Sequence, residues 1–404
     1  MPKKALVRSM AIWNAVKNAS EFGIFLPERT LDWSHVVKRK NEIIGRFVGG
    51  KGPYLEKMGV DLVMGEARFV SPQEIEVSGQ RYKAQRFLIG VGSESVIPSI
   101  EGVEHGITSK ELLFMEKLPE SMVVIGGGII GMEFGHVFAS AGTRVTVVQR
   151  ADRVLMTEDV ESSRIIEEVS RKRGMDILLS CNVQKITAEG ERKTVHVTTQ
   201  DGDKAVEAEV VLLATGRKPA IQGLGLDAAG VEYTDRGIKV NDYLQTTSES
   251  IYAAGDSIGG YMFTPIAAKQ AQVAVRNALK GNHQKPDYQY MTRAIFTLPP
   301  IGSVGLTEEE AKKQGIDIAV GKLPYAHSGT AILLGETEGH FKVIVDRNTR
   351  RIVGGHFVGQ DADELIHLIT VAIKGNLTID DFVDIIPVHP TLAESLIEFL
   401  RGIR

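Results

Sequence analysis

Three glycines that follow an apolar run carry the clearest chemical signal in the sequence. Gly126, Gly128 and Gly131 form a GxGxxG pattern between the apolar stretches 122–125 and 145–148. In a strand–turn–helix, the first glycine permits a tight turn, the second lets the backbone approach a diphosphate, and the third packs the helix on the strand. The helix N-terminus adds N–H groups and a favourable dipole. The pattern predicts a dinucleotide site; the alternative is glycines that only pack a helix on a sheet.

The residues after the second apolar stretch bear on which dinucleotide is bound. Proteins that bind NAD place an acidic side chain here, which accepts hydrogen bonds from the ribose hydroxyls. This chain has Gln149 and then Arg150, with Arg153 close by. An arginine can pair with a 2′-phosphate through two hydrogen bonds. The sequence therefore favours NADP(H) over NAD(H), and two solvated surface arginines are the alternative.

A second glycine-rich stretch, GRFVGGKG at 45–52, has the glycine and lysine spacing of a phosphate-binding P-loop. Gly52, however, stands where such a loop carries the Ser or Thr that holds magnesium, and no hydrophobic strand precedes it. We therefore expect a helix interrupted by glycines.

Hydrophobic periodicity places these motifs on an alternation of helices and strands. An amphipathic helix is predicted over 3–21, charged helix over 23–58, and a helix ending near Leu279. Tight turns are predicted at Ser78-Gly79 and Asp201-Gly202. Strands are predicted on both sides of the glycine turn and over 61–70, 74–77, 81–92, 194–200, 205–214 and 250–256. The last 120 or so residues are predicted to form an α+β unit.

The bulk composition limits the class of protein. A chain of 404 residues is expected to form two or three domains. A net charge of -4 is too small to argue for a nucleic-acid or membrane partner, and no apolar run is long enough to span a bilayer. Cys181 is the single cysteine, so no intrachain disulfide can form. This fits a reducing compartment, so we expect a cytoplasmic location. We expect no metal site, and we expect Cys181 to act as a small buried hydrophobe.

Several further motifs occur in a fixed order around the glycine turn. They are GVGSESVIPSIEG (90–102), the GxGxxG unit, ATGRKP (214–219), IYAAGD (251–256), MFTPIA (262–267), GETEG (335–339) and HPTLAE (389–394). With them the chain resembles, from residue 1 to its end, the class I pyridine nucleotide–disulfide oxidoreductases. This family of flavoproteins includes dihydrolipoamide dehydrogenase, glutathione reductase and mercuric reductase.

The resemblance implies an α/β fold with two Rossmann-like nucleotide-binding domains of the three-layer ββα type, the first incomplete, and a C-terminal α+β dimerisation domain. An FAD-binding domain is expected over 1–110, with a return segment over 236–284. An NAD(P)-binding domain is expected over 111–235, and the dimerisation domain over 285–404.

The first residues, MPKKALVRS, resemble those that directly follow the redox-active cysteine pair of the family. The family's earlier GxGxxG unit, which holds the ADP half of FAD, has no counterpart in this sequence. The resemblance thus implies a chain that starts downstream of its catalytic disulfide, through truncation or a misplaced start codon. A natural relative that has dropped the disulfide step is the alternative.

The resemblance also assigns cofactor-binding roles. Asp256 is expected to bind the ribityl and pyrophosphate side of FAD, and Gly216 to contribute to cofactor binding. Thr264, Pro265 and Ala267 are expected to pass beneath the flavin ring.

Lys3 or Lys4 is expected to pair with Glu133 beside the flavin N5. A cation there stabilises negative charge on a reduced flavin. A solvated terminus is the alternative for both lysines.

His389 and Glu394 are the family's proton-transfer pair by resemblance. The histidine is expected to reach into the active site of the partner subunit and act as base on a dithiol, oriented by the glutamate. Thr391 and Glu394 also match a helix capping box, which is the structural alternative. Both roles are compatible.

The resemblance implies an FAD-dependent NAD(P)H oxidoreductase, a homodimer acting on a small-molecule or lipoyl-type dithiol or disulfide, with no nucleic-acid or membrane partner. His-Pro-Thr argues against mercuric reductase, whereas GETEG with HPTLAE favours dihydrolipoamide dehydrogenase. MFTPIA and Arg150 favour glutathione reductase, so the substrate stays open. Two other hypotheses are a disulfide-independent diaphorase or transhydrogenase and an inactive NADP-binding remnant. Because the first FAD-binding unit is missing, we predict weak or absent FAD retention.

Overall fold

A computed structural model describes residues 1–403 of the chain. The α-helices in this range are α1 (Pro2–Lys17), α2 (Trp33–Gly49), α3 (Lys51–Lys57), α4 (Ser109–Leu112), α5 (Ile129–Ala141), α6 (Val160–Lys172), α7 (Thr264–Lys280), α8 (Glu308–Lys313), α9 (Gly329–Leu334), α10 (Ala362–Lys374), α11 (Ile379–Val383) and α12 (Leu392–Leu400).

The first thirteen strands of the described range are β1 (Ala67–Ser71), β2 (Glu74–Val77), β3 (Gln80–Lys83), β4 (Phe87–Ile89), β5 (Ser93–Ser95), β6 (Ser121–Ile125), β7 (Arg144–Val148), β8 (Asp176–Leu178), β9 (Asn182–Glu189), β10 (Arg192–Thr199), β11 (Gly202–Ala208), β12 (Val210–Leu213) and β13 (Arg217–Pro219). The remaining strands are β14 (Tyr233–Thr234), β15 (Gly237–Ile238), β16 (Ile251–Ala253), β17 (Arg293–Ile295), β18 (Ile301–Gly305), β19 (Ile318–Pro324), β20 (His340–Asp346) and β21 (Ile352–Val358).

The chain divides into two compact units. The first contains residues 1–44, 97–215 and those from 289 on, and the second contains 45–96 and 216–288. Both units combine helices with strands, which confirms the α/β class. The four-part domain division of the sequence stays a prediction.

A parallel sheet in the first unit carries the glycine turn. Its strand order is β12-β6-β7-β8, and the predicted strand–helix–strand over 122–149 is present as β6, α5 and β7. Every residue of β6 is buried, as expected for a central strand covered on both faces. Helix α1 packs on α5 and buries Leu6, Val7 and Met10.

The strand predicted over 205–214 is two strands that belong to different sheets. β10 and β11 pair as the predicted hairpin, with Thr199 opposite Gly202. The predicted strand 205–214, however, breaks at Glu209. Ala208 ends β11 in an antiparallel sheet, whereas Val210 begins β12 in the parallel sheet beside β6. Periodicity did not reveal that one run serves two sheets.

The residues from 289 on form the predicted α+β arrangement. An antiparallel sheet in the order β17-β18-β21-β20-β19 packs against α10. Phe341 and Phe357 form the centre of its core together with Ile366 and Ile369 of α10. The sheet lies in the same compact unit as the glycine turn.

In the second unit, β1, β2 and β3 form an antiparallel sheet, and Ser78 and Gly79 take positive φ in the predicted turn. The predicted strand 81–92 is two strands. β3 pairs with β2, whereas β4 pairs in parallel with β16. The strand and helix predicted from 250 to Leu279 are present as β16 and α7.

The segment 23–58 is helical only in part, because residues 24–32 form no helix. α2 and α3 meet at Gly50, so the stretch 45–52 is a helix interrupted by glycines, as expected, and not a P-loop. Among the described residues, no helix is both long and apolar enough to cross a membrane.

Candidate functional site

The glycine turn joins β6 to α5 and shows why two of its glycines are required by the fold. Gly126 has φ 110°, and a Cβ there would lie 2.4 Å from the carbonyl oxygen of Ala214. A Cβ on Gly131 would lie 2.0 Å from the carbonyl oxygen of Gly126. A side chain at Gly126 would therefore push the turn away from the segment that follows β12, and one at Gly131 would push α5 away from the turn.

Gly128 is different, because among the described residues no heavy atom beyond its two chain neighbours lies within 4 Å of the position that its Cβ would take. It is the N-cap residue of α5, a helix of 13 residues. The fold does not need glycine here, but a ligand that approaches the backbone does. Open space beside free helix N–H groups fits the diphosphate of a dinucleotide.

Gln149 and the two arginines lie beside this turn. The Gln149 side chain accepts a hydrogen bond from the Gly127 N–H at 3.2 Å and donates one to the Arg153 carbonyl at 3.1 Å. Its amide thus fixes the loop that carries the arginines. Arg150 is exposed. Within the described residues, the buried Nε of Arg153 has no hydrogen-bond partner.

On the buried face of α5, Glu133 forms an ion pair with Lys3 of α1. The Lys3 side chain is 30% exposed and that of Glu133 is 3% exposed. The second carboxylate oxygen of Glu133 accepts the Phe296 N–H at 3.0 Å. The structure therefore selects Lys3 as the partner of Glu133. Their role in catalysis stays a prediction.

Lys4 has other partners. It forms an ion pair with Asp363 of α10, and its Nζ lies 4.1 Å from the centre of the Phe296 ring. Neither Phe296 nor Asp363 belongs to a motif that we recognised. Both are far from Lys4 in the sequence, so no local pattern could have indicated these contacts.

The second unit presents the residues expected to bind FAD. Asp256 is half-buried in the turn after β16, and its carboxylate accepts a hydrogen bond from the Ser93 hydroxyl. That hydroxyl accepts from Arg217 Nε at 2.8 Å. Sequence reasoning missed Ser93 and Arg217, although both lie within recognised motifs. Gly216, next to Arg217, is exposed with φ 124°.

The N-terminus of α7 follows this turn. Thr264 and Pro265 are exposed at its first positions, and Ala267 is half-buried. A Cβ on Gly255 would lie 3.1 Å from that of Ala267, while the Gly255 N–H donates to Gln270 at 2.7 Å. An oriented carboxylate next to an open helix N-terminus fits the hydroxyl and phosphate groups of a flavin nucleotide.

His389 and Glu394 contact each other near the start of α12. His389 Nδ1 lies 2.9 and 3.1 Å from the two carboxylate oxygens of Glu394. The Thr391 hydroxyl accepts the Glu394 N–H at 3.0 Å. Only this half of the expected capping box is present, because the carboxylate is directed to the imidazole. The His389 side chain is 81% exposed, and exposed Ile386 and Val388 precede it.

Cys181 is buried, and its thiol donates to the Leu179 carbonyl at 2.9 Å. Burial raises the pKa of the thiol, so the reactive thiolate is disfavoured at neutral pH. The expectation of a small buried hydrophobe agrees with this environment.

Comparison with family models gives two matches. The model described as pyridine nucleotide-disulphide oxidoreductase matches residues 1–271. The model described as the dimerisation domain of the same proteins matches residues 291–399.

Curated relatives match nearly the whole chain. A mercuric reductase from Bacillus cereus is 36% identical over 400 residues, which cover 98% of this chain and 63% of the relative. A dihydrolipoyl dehydrogenase from Bacillus subtilis (strain 168) is 32% identical over 409 residues, which cover 99% of this chain and 88% of the relative. The chain therefore spans less than two thirds of the Bacillus cereus enzyme. Relatives of both kinds match nearly all of this chain, so these similarities do not choose between a mercuric reductase and a dihydrolipoyl dehydrogenase.

Among solved structures, the HOCl-induced flavoprotein disulfide reductase RclA from Escherichia coli is similar, with a TM-score of 0.89 and 29% sequence identity. The match covers 100% of this chain and 89% of that one.

Proposed function

Because the chain belongs to the pyridine nucleotide-disulphide oxidoreductase family, whose members use FAD and NAD(P)H, we propose that it is an FAD-dependent NAD(P)H oxidoreductase of the dihydrolipoamide dehydrogenase-like type. The observation that carries this proposal is the arrangement on α5. Its first turn leaves open space at Gly128, and its buried face fixes Lys3 against Glu133. Helix α5 thus carries both a nucleotide cradle and the carboxylate that orients the Lys3 cation of α1.

In such an enzyme, different residues of this chain would bind FAD and place a positive charge. FAD, when bound, supplies a hydride acceptor. Asp256 and the N-terminus of α7 would hold it, with Ser93 and Arg217 orienting the carboxylate. Lys3 contributes a positive charge whose position is set by Glu133. A preorganised cation stabilises negative charge that develops nearby without reorganising during the reaction.

NADP(H) is the coenzyme that the turn favours. Gln149 brings no negative charge to the ribose position and holds the backbone of Arg153. The exposed guanidinium of Arg150 offers donors for a 2′-phosphate. A carboxylate at position 149 would repel that group.

His389 and Glu394 are proposed to move a proton in a homodimer. The Glu394 carboxylate orients the imidazole through Nδ1, which leaves Nε2 to exchange a proton with a dithiol substrate. Exposed apolar residues beside His389, within the region matched by the dimerisation-domain model, support a partner subunit that covers this face.

A disulfide-independent diaphorase or transhydrogenase is the second candidate. One observation favours it: Cys181 is the single cysteine, and it is buried with a raised thiol pKa. A dithiol relay within this chain is therefore not available, and electrons would pass to a dye, a quinone or another nicotinamide. An NADP-binding remnant that holds no flavin is the third candidate.

Direct binding tests the nucleotide site. Calorimetric titration of the purified chain with NADPH and NADH should give tighter binding of NADPH, by about 10-fold. Arg150→Glu should remove this preference, whereas Arg144→Glu, at the other end of β7, should keep it. Gly128→Ala should weaken both coenzymes and leave the melting temperature unchanged, because the methyl group enters open space. No binding of either coenzyme would refute the proposal.

Absorbance separates the three candidates. A yellow protein with full flavin occupancy would support an FAD-dependent oxidoreductase. NADPH-dependent dye reduction after addition of FAD, without dithiol activity, would support the diaphorase. A protein that binds NADPH and takes up no FAD would support the remnant.

A further inference from the structure

The loop between β7 and α6, residues 150–159, makes direct contact with the glycine turn; we call it the brace segment. The Leu155 N–H donates to the Gly127 carbonyl at 2.8 Å. Val154 and Leu155 are buried, and a Cβ on Gly127 would lie 3.1 Å from Val154. The backbone that shapes the turn is thus held from outside by this segment.

Leu155 has φ 49°, in the left-handed region that a branched side chain rarely adopts. Such a conformation persists only where surrounding contacts hold it. The contact from Leu155 to Gly127 therefore depends on whatever fixes the two ends of the brace segment. Gln149 fixes the first end through the Arg153 carbonyl.

The other end is fixed in the antiparallel sheet of the dimerisation domain. Glu158 accepts a hydrogen bond from the Ser303 hydroxyl of β18 at 2.6 Å and lies 3.4 Å from Arg293 Nε of β17. Asp159 lies 2.9 Å from Lys342 Nζ of β20. The Asp159 and Lys342 side chains are 3% and 2% exposed.

Lys342 is paired with three carboxylates at this end of the brace segment. Lys342 Nζ also lies 2.9 Å from Glu161 and 3.1 Å from Glu308. Burial alone would lower the pKa of Lys342, but its hydrogen bonds to Asp159 and Glu161 outweigh burial and raise it. Burial would raise the pKa of Asp159, and the bond to Lys342 lowers it instead. Both groups of the pair are therefore charged at neutral pH.

We propose that Lys342 and Glu158 are positioning residues for nucleotide binding, which act through the brace segment to hold the glycine turn in the shape that receives the coenzyme's diphosphate. The inference rests on the proposed function, in which the turn at 126–131 binds NADP(H). It places determinants of coenzyme affinity in the dimerisation sheet, on residues that do not touch the nucleotide.

The test measures NADPH affinity and amide exchange in the full chain. Lys342→Met should weaken NADPH binding on the order of 10-fold, within the range for mutations that act through a packed network. Hydrogen–deuterium exchange should show lost protection in peptides covering 150–158, with the hairpin of β10 and β11 unchanged. Lys40→Met is the matched control: Lys40 is also buried, and it donates to the Leu113 carbonyl. It should bind NADPH like the wild type even where its melting temperature falls.

Glu158→Gln is the second variant, for the case in which Lys342→Met does not fold. It keeps an acceptor for Ser303 and removes the charge that faces Arg293. Weaker NADPH binding by this variant supports the proposal. Unchanged affinity in both variants, or loosened exchange at 150–158 without a change in affinity, overturns it while the proposed function stands. A wild-type chain that fails to bind NADPH overturns both.

Discussion

Lys3–Glu133 and His389–Glu394 each join a basic side chain to a glutamate, but their surroundings are opposite. Glu133 lies in the core, where its two oxygens bind Lys3 and the Phe296 amide. His389 is exposed beside apolar residues, and within the described part of the chain its imidazole is held by Glu394 alone. A buried pair is fixed within one chain. An exposed pair is oriented within the chain and needs another surface to complete a site. The comparison predicts large stability effects for the first pair and small ones for the second.

Replacing Glu133 should have the largest effect. Glu133→Ala removes the partner of Lys3 and leaves the Phe296 N–H without its acceptor, so the free energy of unfolding should fall by about 4 kcal/mol. Urea unfolding followed by the fluorescence of Trp33, which packs on Phe138 of α5, measures this. Equal losses for Glu133→Ala and Glu394→Ala would remove the distinction between the two pairs.

Acid should destabilise the buried face of α5 through His136. Burial, and then the charge of Arg173, lower the pKa of His136 to about 3 from its ordinary 6.5. The unfolded chain therefore takes up a proton first as the pH falls. Above the pKa that His136 has in the unfolded chain, its contribution to the free energy of unfolding is complete. Below that pKa the free energy of unfolding falls, by about 3 kcal/mol near pH 4.5. The free energy of unfolding is measured at about pH 7.5 and at about pH 4.5. The difference between the two values should be smaller in His136→Gln than in the wild type. An identical difference in both proteins would contradict this.

The glycine turn should distinguish packing from binding. Gly131→Ala should destabilise the chain by about 2 kcal/mol, because its Cβ would overlap the Gly126 carbonyl. Gly128→Ala should stay within about 0.5 kcal/mol of the wild type. Thermal unfolding of the two variants checks this, and a larger loss in Gly128→Ala would mean that its space is not open.

The smallest effect is expected at the exposed pair. His389→Gln should change the free energy of unfolding by less than about 0.5 kcal/mol, and Glu394→Gln by less than about 1 kcal/mol. Urea unfolding at low protein concentration, which favours single chains over the proposed dimer, measures this. A loss above roughly 2 kcal/mol at either position would show that the pair supports the fold.

Local patterns predicted those parts of the fold that depend on local geometry. The GxGxxG unit gave a strand, a turn and a helix because its spacing matches one backbone path. Periodicity failed where neighbouring strands decide the structure: the run 205–214 changes sheets at Glu209, and 81–92 splits between β2 and β16 as partners. A strand's partner lies elsewhere in the sequence, so no local window contains it.

In the candidate site too, some features were predicted from the sequence and others were decided by tertiary packing. The family resemblance predicted that Lys3 or Lys4 pairs with Glu133, and packing selected Lys3 and paired Lys4 with Asp363. The sequence also singled out Gln149 and Arg150. The anchor of Asp159 on Lys342 joins residues that no motif connects.

The sequence by itself determined the glycine turn, the single cysteine and the family resemblance, since each follows from residue types at short spacing or in a fixed order. The tertiary structure decided which lysine is buried against Glu133, why Gly131 and Gly128 are glycines for different reasons, and what holds the brace segment. Those outcomes depend on burial and on contacts between distant segments. Both arise only when the whole chain has packed.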